Sequence, residues 1–246
     1  MNKYRADLHI HTVLSPCGDL EMSPANIVAE AELKGLDIIG ITDHNTTLQC
    51  GLVAKLAAER GIFVLQGAEI TTKEEVHCLA FFENSDALSI FQEFLDRSLA
   101  WIPNAPEIFG HQLQVNEYDE VVYEEQRLLI NALSCTLKDA ETLVHQLNGL
   151  FIPAHVDKKK NSIFSQLGLL PENLMADALE LTSKSATGVF ISPGNEGVPY
   201  TVICSSDAHF PSDIGAATTC FRLGEPTFSE IAMALRNEKG RRVIPA

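Results

Sequence analysis

Short apolar segments alternate with amphipathic segments along most of this chain, and this alternation restricts the possible folds more than any other feature. Residues 6–10, 37–41, 62–66, 76–82, 150–153, 178–182 and 201–204 have the apolar character of strands. Segments with helical periodicity separate several of them. Strands that alternate with helices are typical of β-α-β units and a mostly parallel sheet. We therefore expect an α/β fold whose sheet is closed, or nearly closed, into a barrel.

Local signals mark the ends of several helices. Ser23 before Pro24 predicts an N-cap followed by proline at the first helical position. Thr227 and Glu230 have the spacing of a capping box. Residues 84–137 follow the strand–helix rhythm less well, and we expect them to form an elaboration that caps the site or packs on the surface. The length of the chain predicts that residues 1–246 otherwise form a single domain, since this length is ordinary for one α/β barrel.

Composition restricts the environment and the partners. No apolar run approaches the ~20 residues that a membrane span needs, and we see no signal peptide, so we expect a soluble protein in the cytoplasm. The six cysteines lack C-x-x-C spacing and are expected to be reduced thiols. The net charge of −15 disfavours binding to long nucleic acids. A small phosphorylated substrate remains compatible with this charge, because metal ions add local positive charge.

Two histidines one residue apart, His9 and His11, end the first predicted strand. Alternate residues of a strand point to the same face, so the two rings are expected to lie side by side. Other residues able to bind metals lie at the ends of later predicted strands, namely Asp43, His44, Glu69, His77, His155, Asp207 and His209. Functional residues of parallel α/β folds collect at the carboxyl ends of strands. The remaining histidines, His111 and His145, are expected to be structural or solvated.

The number of these residues indicates more than one metal ion. A single catalytic zinc typically uses three protein ligands and one water, and this chain offers about nine candidates. The carboxylate of Glu69 could bridge two ions through its two oxygens, as in paired-metal hydrolytic sites. We therefore predict two to three divalent ions. Imidazole and carboxylate together suit Zn²⁺, Mn²⁺ or Fe²⁺ without favouring one of them.

These motifs resemble the PHP family, named for polymerases and histidinol phosphatases. The matching segments are DLHIHT, TDHN, GAEI, the histidine of EVHCLAF, PAHVD and SSDAH. The resemblance implies a distorted (β/α)7 barrel of the TIM-like type with a trinuclear metal centre that hydrolyses phosphoesters. It implies His9, His11, Glu69 and Asp207 as ligands of the first ion, Glu69, His77 and His155 of the second, and His44 and His209 of the third.

Two stretches depart from the family pattern. A further ligand of the third ion is expected within SPCGD. Counting from the first two histidines gives Cys17, counting back from the Ser23 helix start gives Asp19, and we favour Asp19. After His155 the chain reads AHVDKKKNS, so Lys158 and Lys159 are candidates for contacting substrate phosphate, with a solvated lysine run as the alternative.

We interpret the chain as a metal-dependent phosphoesterase. The expected substrate is a phosphomonoester or short phosphodiester, in a nucleotide or small phosphorylated metabolite, attacked by a hydroxide that the metals activate. Glu69 is expected to hold the metals, and Asp43 or His209 to assist the leaving oxygen as general acid. Alternatives are an exonuclease acting at the 5′ or 3′ end of oligonucleotides, a hydrolase of amides or esters, and a metal-binding module with weak catalysis.

Overall fold

A computed structural model of the protein describes residues 1–182, 188–190 and 200–244. The strands are β1 (Asn2–Ile10), β2 (Ile38–Ile41), β3 (Phe63–Thr71), β4 (His77–Phe82), β5 (Leu113–Val115), β6 (Val121–Glu124), β7 (Leu150–Pro153), β8 (Leu179–Leu181), β9 (Gly188–Phe190), β10 (Tyr200–Cys204), β11 (Thr219–Leu223) and β12 (Arg242–Ile244). The helices are α1 (Pro24–Leu33), α2 (Cys50–Ala58), α3 (Ser85–Ser98), α4 (Pro106–Phe109), α5 (Leu137–Gln146), α6 (Ile163–Leu167) and α7 (Phe228–Leu235), with a 3-10 turn at Pro211–Asp213.

The strands form a curled main sheet and two smaller sheets. The main sheet has the order β12-β11-β1-β2-β3-β4-β7, the second β8-β10-β9, and the third β5-β6. A bridge between Ile10 and Ala208 links the end of β1 to the segment after β10. The α/β class is confirmed. The TIM-like barrel is present in outline but is not closed, because no ladder joins β7 to β8 in the part of the chain that the structure describes.

The sheet is mixed rather than mostly parallel. Strands β1, β2 and β3 are parallel, whereas β4 is antiparallel to both β3 and β7. Residues 72–76 alone join β3 to β4, and a parallel crossover needs a dozen or more residues. This hairpin places the first residue of β4, His77, at the same edge of the sheet as the carboxyl ends of β3 and β7. The predicted location of His77 at the mouth therefore holds, although its strand runs the other way.

The helix signals are confirmed with one exception. Ser23 caps α1 by accepting the N–H of Asn26, and Pro24 is its first residue. Thr227 caps α7 by accepting the N–H of Glu230. The second half of the predicted capping box is wrong, because the Glu230 carboxylate accepts the Gly224 N–H instead, at 2.7 Å. No helix in the described ranges is long and apolar enough to cross a membrane.

Residues 84–137 hold α3, α4, β5 and β6, and they are fastened to the loop that follows β2. The Gln49 side chain donates to the Val115 carbonyl at 2.9 Å and accepts the Val115 N–H at 3.2 Å. The Asn45 amide donates to the carbonyls of Leu129 and Asn131 at 2.7 and 2.9 Å. The elaboration is thereby held next to the edge where His44 lies.

Candidate metal centre

Glu69 lies at the middle of a buried cluster of imidazole rings. Its Oε1 is 2.9 Å from Nδ1 of His77 and 3.0 Å from Nε2 of His155. Its Oε2 is 3.1 Å from Nδ1 of His44 and 3.5 Å from Nε2 of His11. Each oxygen thus lies beside a different pair of histidines, and Oε1 is also 3.4 Å from Nε2 of His9. This is the arrangement that a carboxylate bridging two cations requires.

The residues at the end of β1 form the second part of the cluster. The Nε2 atoms of His9 and His11 are 3.1 Å apart, as the strand periodicity predicts for side chains on one face. Asp207 Oδ1 lies 3.3 Å from Nε2 of His9 and 3.4 Å from Nε2 of His11. Two lone-pair nitrogens and a carboxylate oxygen therefore converge on one small volume.

The third part of the cluster contains Cys17. One ligand atom from each of His11, Cys17, His44 and His209 lies within 4.8 Å of the others. Asp19, which the sequence analysis favoured at this position, is used differently: its Oδ1 accepts the Glu21 N–H at 2.8 Å in a local turn. Of the two residues that the sequence left open, Cys17 is the one that the structure groups with the histidines.

A buried carboxylate that no sequence motif indicated contacts one ring of the cluster and the backbone of another cluster residue. Glu180 Oε2 accepts from Nδ1 of His9 at 2.9 Å and from the backbone N–H of His155 at 3.0 Å. Carboxylates that bind the second ring nitrogen of a metal-ligating histidine set its tautomer and orientation. A glutamate within the apolar segment ALELT was the available signal. Glu180 is therefore placed as a positioning residue for His9.

Asp43 is connected to a ring of the cluster through Ser15. It is buried, its Oδ1 accepts the Thr12 N–H at 2.6 Å and the Ser15 hydroxyl at 2.7 Å, and its Oδ2 accepts the Thr12 hydroxyl at 2.7 Å. Ser15 Oγ is in turn 2.9 Å from Nδ1 of His11. Burial raises the pKa of Asp43, although the hydrogen bonds from Thr12 and Ser15 oppose this. The general-acid role expected from the sequence stays a prediction.

The electrostatics of the cluster favour a bound cation. Burial, together with nearby His209, lowers the pKa of His11 to about 4. Burial likewise holds the pKa of His44 well below its usual value. Although burial opposes ionisation, His77, His9 and His44 hold the pKa of Glu69 well below its ordinary range. The cluster thus presents anionic carboxylates beside the neutral rings of His11 and His44.

Three buried ring nitrogens of the cluster make no hydrogen bond: His44 Nδ1, His77 Nε2 and His155 Nδ1. An unpaired polar atom in a buried site is costly unless something binds it. Imidazole nitrogens and carboxylate oxygens are ordinary ligands of divalent transition metals. The residues present therefore fit a group of divalent ions.

The lysines that follow His155 differ in position. Lys158 forms an ion pair with Asp207, and although burial opposes it, this carboxylate raises the lysine pKa. Lys158 and Lys160 line a cavity of about 250 Å³ together with His44, Glu69 and other cluster residues. All three lysines are exposed, and Lys159 does not line this cavity. Lys158 thus lies beside the cluster, and contact with a substrate phosphate stays a prediction for Lys158 and Lys159.

Two protein-family models match this chain. A family model described as PHP domain matches residues 7–158, and a model described as PHP-associated matches residues 198–239. The first match includes most of the histidines of the cluster and Glu69. The second includes Asp207 and His209.

Two curated proteins of unassigned function are similar in sequence. The uncharacterized protein YqxK of Bacillus subtilis is 25% identical over 275 aligned residues, covering 99% of this chain and 65% of that protein. The uncharacterized protein MJ1587 of Methanocaldococcus jannaschii is 39% identical over 90 residues, covering 33% of this chain and 52% of that protein. The chain thus spans less than two thirds of the length of either relative.

Solved structures share the fold. The lesion-specific endonuclease PfuEndoQ of Pyrococcus furiosus matches with a TM-score of 0.73 at 22% identity, covering 98% of this chain and 58% of that one. A two-domain protein of Bacteroides vulgatus, described as containing a predicted PHP-like metal-dependent phosphoesterase, matches with a TM-score of 0.56 at 20% identity, covering 99% and 65%. At these identities the likeness concerns the fold.

Proposed function

Because the chain belongs to the PHP domain family, we propose that it is a metal-dependent hydrolase of phosphoric ester bonds. The observation that carries this proposal is the position of Glu69, whose two oxygens face separate pairs of buried histidines. Divalent ions held there would act as Lewis acids, lowering the pKa of water to about 7 and neutralising charge on the phosphoryl oxygens. The protein would hold two to three such ions, of the Zn²⁺, Mn²⁺ or Fe²⁺ type, through the cluster residues.

In this proposal, one group of cluster residues would bind the metal ions and a second group would orient these ligands. His9, His11, Glu69 and Asp207 would hold one ion, Glu69, His77 and His155 a second, and His44 with His209 a third. Glu180 and Asp43 would orient His9 and His11 from outside the cluster. Lys158, at the cavity opening, would attract the substrate phosphate.

The hydrogen bond of His209 is compatible with a role as a ligand. Its Nδ1 is 2.8 Å from the carbonyl oxygen of Asp207, which can only accept. Nδ1 therefore carries a proton, and the ring would bind a cation through the lone pair of Nε2.

Charge and cavity size support a small substrate. The net charge of −15 opposes a long phosphate-backbone interface, and the two cavities beside the cluster measure about 250 and 340 Å³. A phosphomonoester or short phosphodiester, in a nucleotide or a small phosphorylated metabolite, fits both observations.

The test is hydrolysis of an aryl phosphate monoester and an aryl phosphodiester by protein stripped of metal and reloaded with Zn²⁺ or Mn²⁺. We expect turnover only after reloading, and its loss when a chelator is added. Turnover of an amide or carboxylic ester panel without turnover of either phosphate ester would contradict the proposal. Full phosphate-ester turnover by the stripped protein would contradict the metal dependence.

Cleavage of nucleic acid is the second candidate, and the fold likeness to the endonuclease PfuEndoQ favours it. A related endonuclease Q structure holds a 27-mer duplex with an abasic lesion at the active site. End-labelled single strands and duplexes with an abasic site would separate the possibilities. Release of terminal nucleotides would indicate an exonuclease, and one internal cut at the lesion an endonuclease. Intact oligonucleotides beside rapid nucleotide hydrolysis would favour the small substrate.

A further inference from the structure

The loop between β1 and α1 brings a sulfur atom into the cluster of nitrogens. Sγ of Cys17 lies within 4.8 Å of ligand atoms of His11, His44 and His209. The other five cysteines are buried within the fold, whereas Cys17 is exposed. It lines the same cavity as Glu69 and His209. Its position is therefore not explained by a contribution to the hydrophobic core.

Backbone hydrogen bonds fix Cys17 in this position. The Gly18 N–H donates to the Ser15 carbonyl at 2.9 Å, and the Asp19 N–H donates to the His209 carbonyl at 2.9 Å. The second bond ties the loop to the segment that carries His209. A Cβ added to Gly18 would lie 2.4 Å from the carbonyl oxygen of Thr12, so the loop closes only with glycine after Cys17. Cys17 and His209 are thus held together by the backbone.

The hydrogen bonds of the rings decide which of them share an ion with the sulfur. Nδ1 of His11 is engaged with Ser15 Oγ, and its Nε2 lies 3.1 Å from His9 and 3.4 Å from Asp207. His11 therefore belongs with the first ion. His209 keeps Nε2 available, and a ligand atom of His44 lies within 4.8 Å of those of Cys17 and His209. Cys17, His44 and His209 remain as one set of three.

We propose that Cys17 is a thiolate ligand of the third cation site, together with His44 and His209. Three protein ligands with one open position are the pattern of catalytic zinc sites, including sites that combine cysteine and histidine. A thiolate is a soft ligand, and Mn²⁺ and Mg²⁺ prefer oxygen. The sulfur makes this site selective for Zn²⁺ over Mn²⁺. This inference deepens the proposed function, on which it rests for the existence of the metal cluster.

Cobalt substitution tests the sulfur ligand without any use of turnover. Metal-free wild-type, Cys17→Ser and Asp19→Asn proteins are titrated with Co²⁺, and their folding is compared by circular dichroism. We expect a near-ultraviolet sulfur-to-cobalt charge-transfer band in the wild type and in Asp19→Asn, and its loss in Cys17→Ser with one fewer ion bound per chain. A band that persists in Cys17→Ser would overturn the proposal. So would a fully loaded wild type that shows no such band.

Alkylation tests the metal selectivity. Iodoacetamide is applied to the wild type in the presence of Zn²⁺ or Mn²⁺ at equal concentration, and modification of Cys17 is followed by peptide mass. We expect Zn²⁺ to protect Cys17 and Mn²⁺ not to protect it. Equal protection by the two ions would overturn the selectivity. A cobalt–sulfur band in a protein that hydrolyses no phosphate ester would refute the proposed function and leave the site standing.

Discussion

The two ends of β7 each carry a cluster of histidine and carboxylate, and the two clusters differ in whether their polar atoms are satisfied. At the amino end, Asp177 Oδ2 accepts from His145 at 3.1 Å and from the Phe151 N–H at 2.9 Å, while Oδ1 accepts from Arg236 at 2.8 Å. At the carboxyl end, the rings around Glu69 leave three buried nitrogens without hydrogen bonds.

This difference separates a structural cluster from a binding site. Burial opposes ionisation of Asp177, but the His145 and Phe151 hydrogen bonds and the Arg236 guanidinium lower its pKa, so its charge is balanced within the protein. The Glu69 cluster has carboxylates and lone pairs in excess of protons. The residue types alone do not distinguish the two ends of β7, whereas the balance of hydrogen-bond donors and acceptors distinguishes them.

The strongest test of this comparison is to alter the central carboxylate at each end. Glu69→Gln removes the charge that faces two pairs of histidines, and we expect loss of metal ions together with a fall of about 10³-fold in hydrolysis, equivalent to about 4 kcal/mol. Elemental analysis and initial rates measure the two effects. Unchanged metal content and turnover in a folded Glu69→Gln protein would contradict the proposed site.

The matched control is Asp177→Asn at the opposite end. It weakens bonds to His145 and Arg236, so we expect a loss of about 1–3 kcal/mol in the free energy of unfolding. Metal content and turnover of the folded protein are expected to match those of the wild type. Loss of metal in this variant would show that the two ends are not independent.

A smaller effect is expected for Glu180, which orients His9 without facing an ion. Changes to such outer carboxylates typically cost 10–100-fold in metal affinity, and we expect a loss of about this size for Glu180→Gln. Competition with a chromophoric chelator measures it. Glu141→Gln is the matched control, because Glu141 is also buried with one unpaired oxygen but is paired with Lys138 away from the cluster. An equal loss in both variants would refute the orienting role.

The pH dependence of metal binding gives a further test of the Glu69 cluster. Burial opposes the charged form of His9, but Glu180, Asp207 and Glu69 together hold its pKa well above its usual value in the metal-free protein. A cation must displace this proton, so affinity is expected to fall as pH falls below that pKa, by about tenfold per pH unit for one proton. Calorimetry in buffers of different ionisation enthalpy counts the protons released. Binding without proton release at pH 7 would contradict this expectation.

The smallest expected effect separates two neighbouring lysines. Lys158 pairs with Asp207 at the cavity, and Lys159 is exposed. Since a partly exposed charge contributes about 0.5–1 kcal/mol, Lys158→Ala is expected to raise KM by a few fold. Lys159→Ala is expected to leave KM unchanged. Equal effects of the two substitutions on KM would indicate that both lysines belong to a solvated run.

The sequence predicted the members of the cluster well, because they occur within short motifs at strand ends. His9, His11, Glu69 and Asp207 converge as expected. Their convergence depends only on strand periodicity and on parallel strands ending at one edge. Their roles as metal ligands remain a proposal.

The sequence does not predict the contacts that join distant parts of the chain. Asp43 sits in the expected loop, yet its direction is set by Thr12 and Ser15, which no local pattern indicates. Glu180 reaches His9 only because β8 pairs with β10 beside the site. The expectation of a mostly parallel sheet was wrong at β4, because the five residues between β3 and β4 are too few for a parallel crossover.

Strand β1 has a consequence for the order of folding. It pairs with β11 from Asn2–Leu223 to Ala6–Thr219, so the first and one of the last strands of the chain are neighbours. Contacts of such separation form late, after a large loss of chain entropy. During synthesis, His9 and His11 of β1 therefore cannot contact Asp207 and His209 until these residues have left the ribosome. A nascent chain ending before residue 207 would lack Asp207 and His209, so we expect the proposed centre to bind its full set of ions only after synthesis has passed His209.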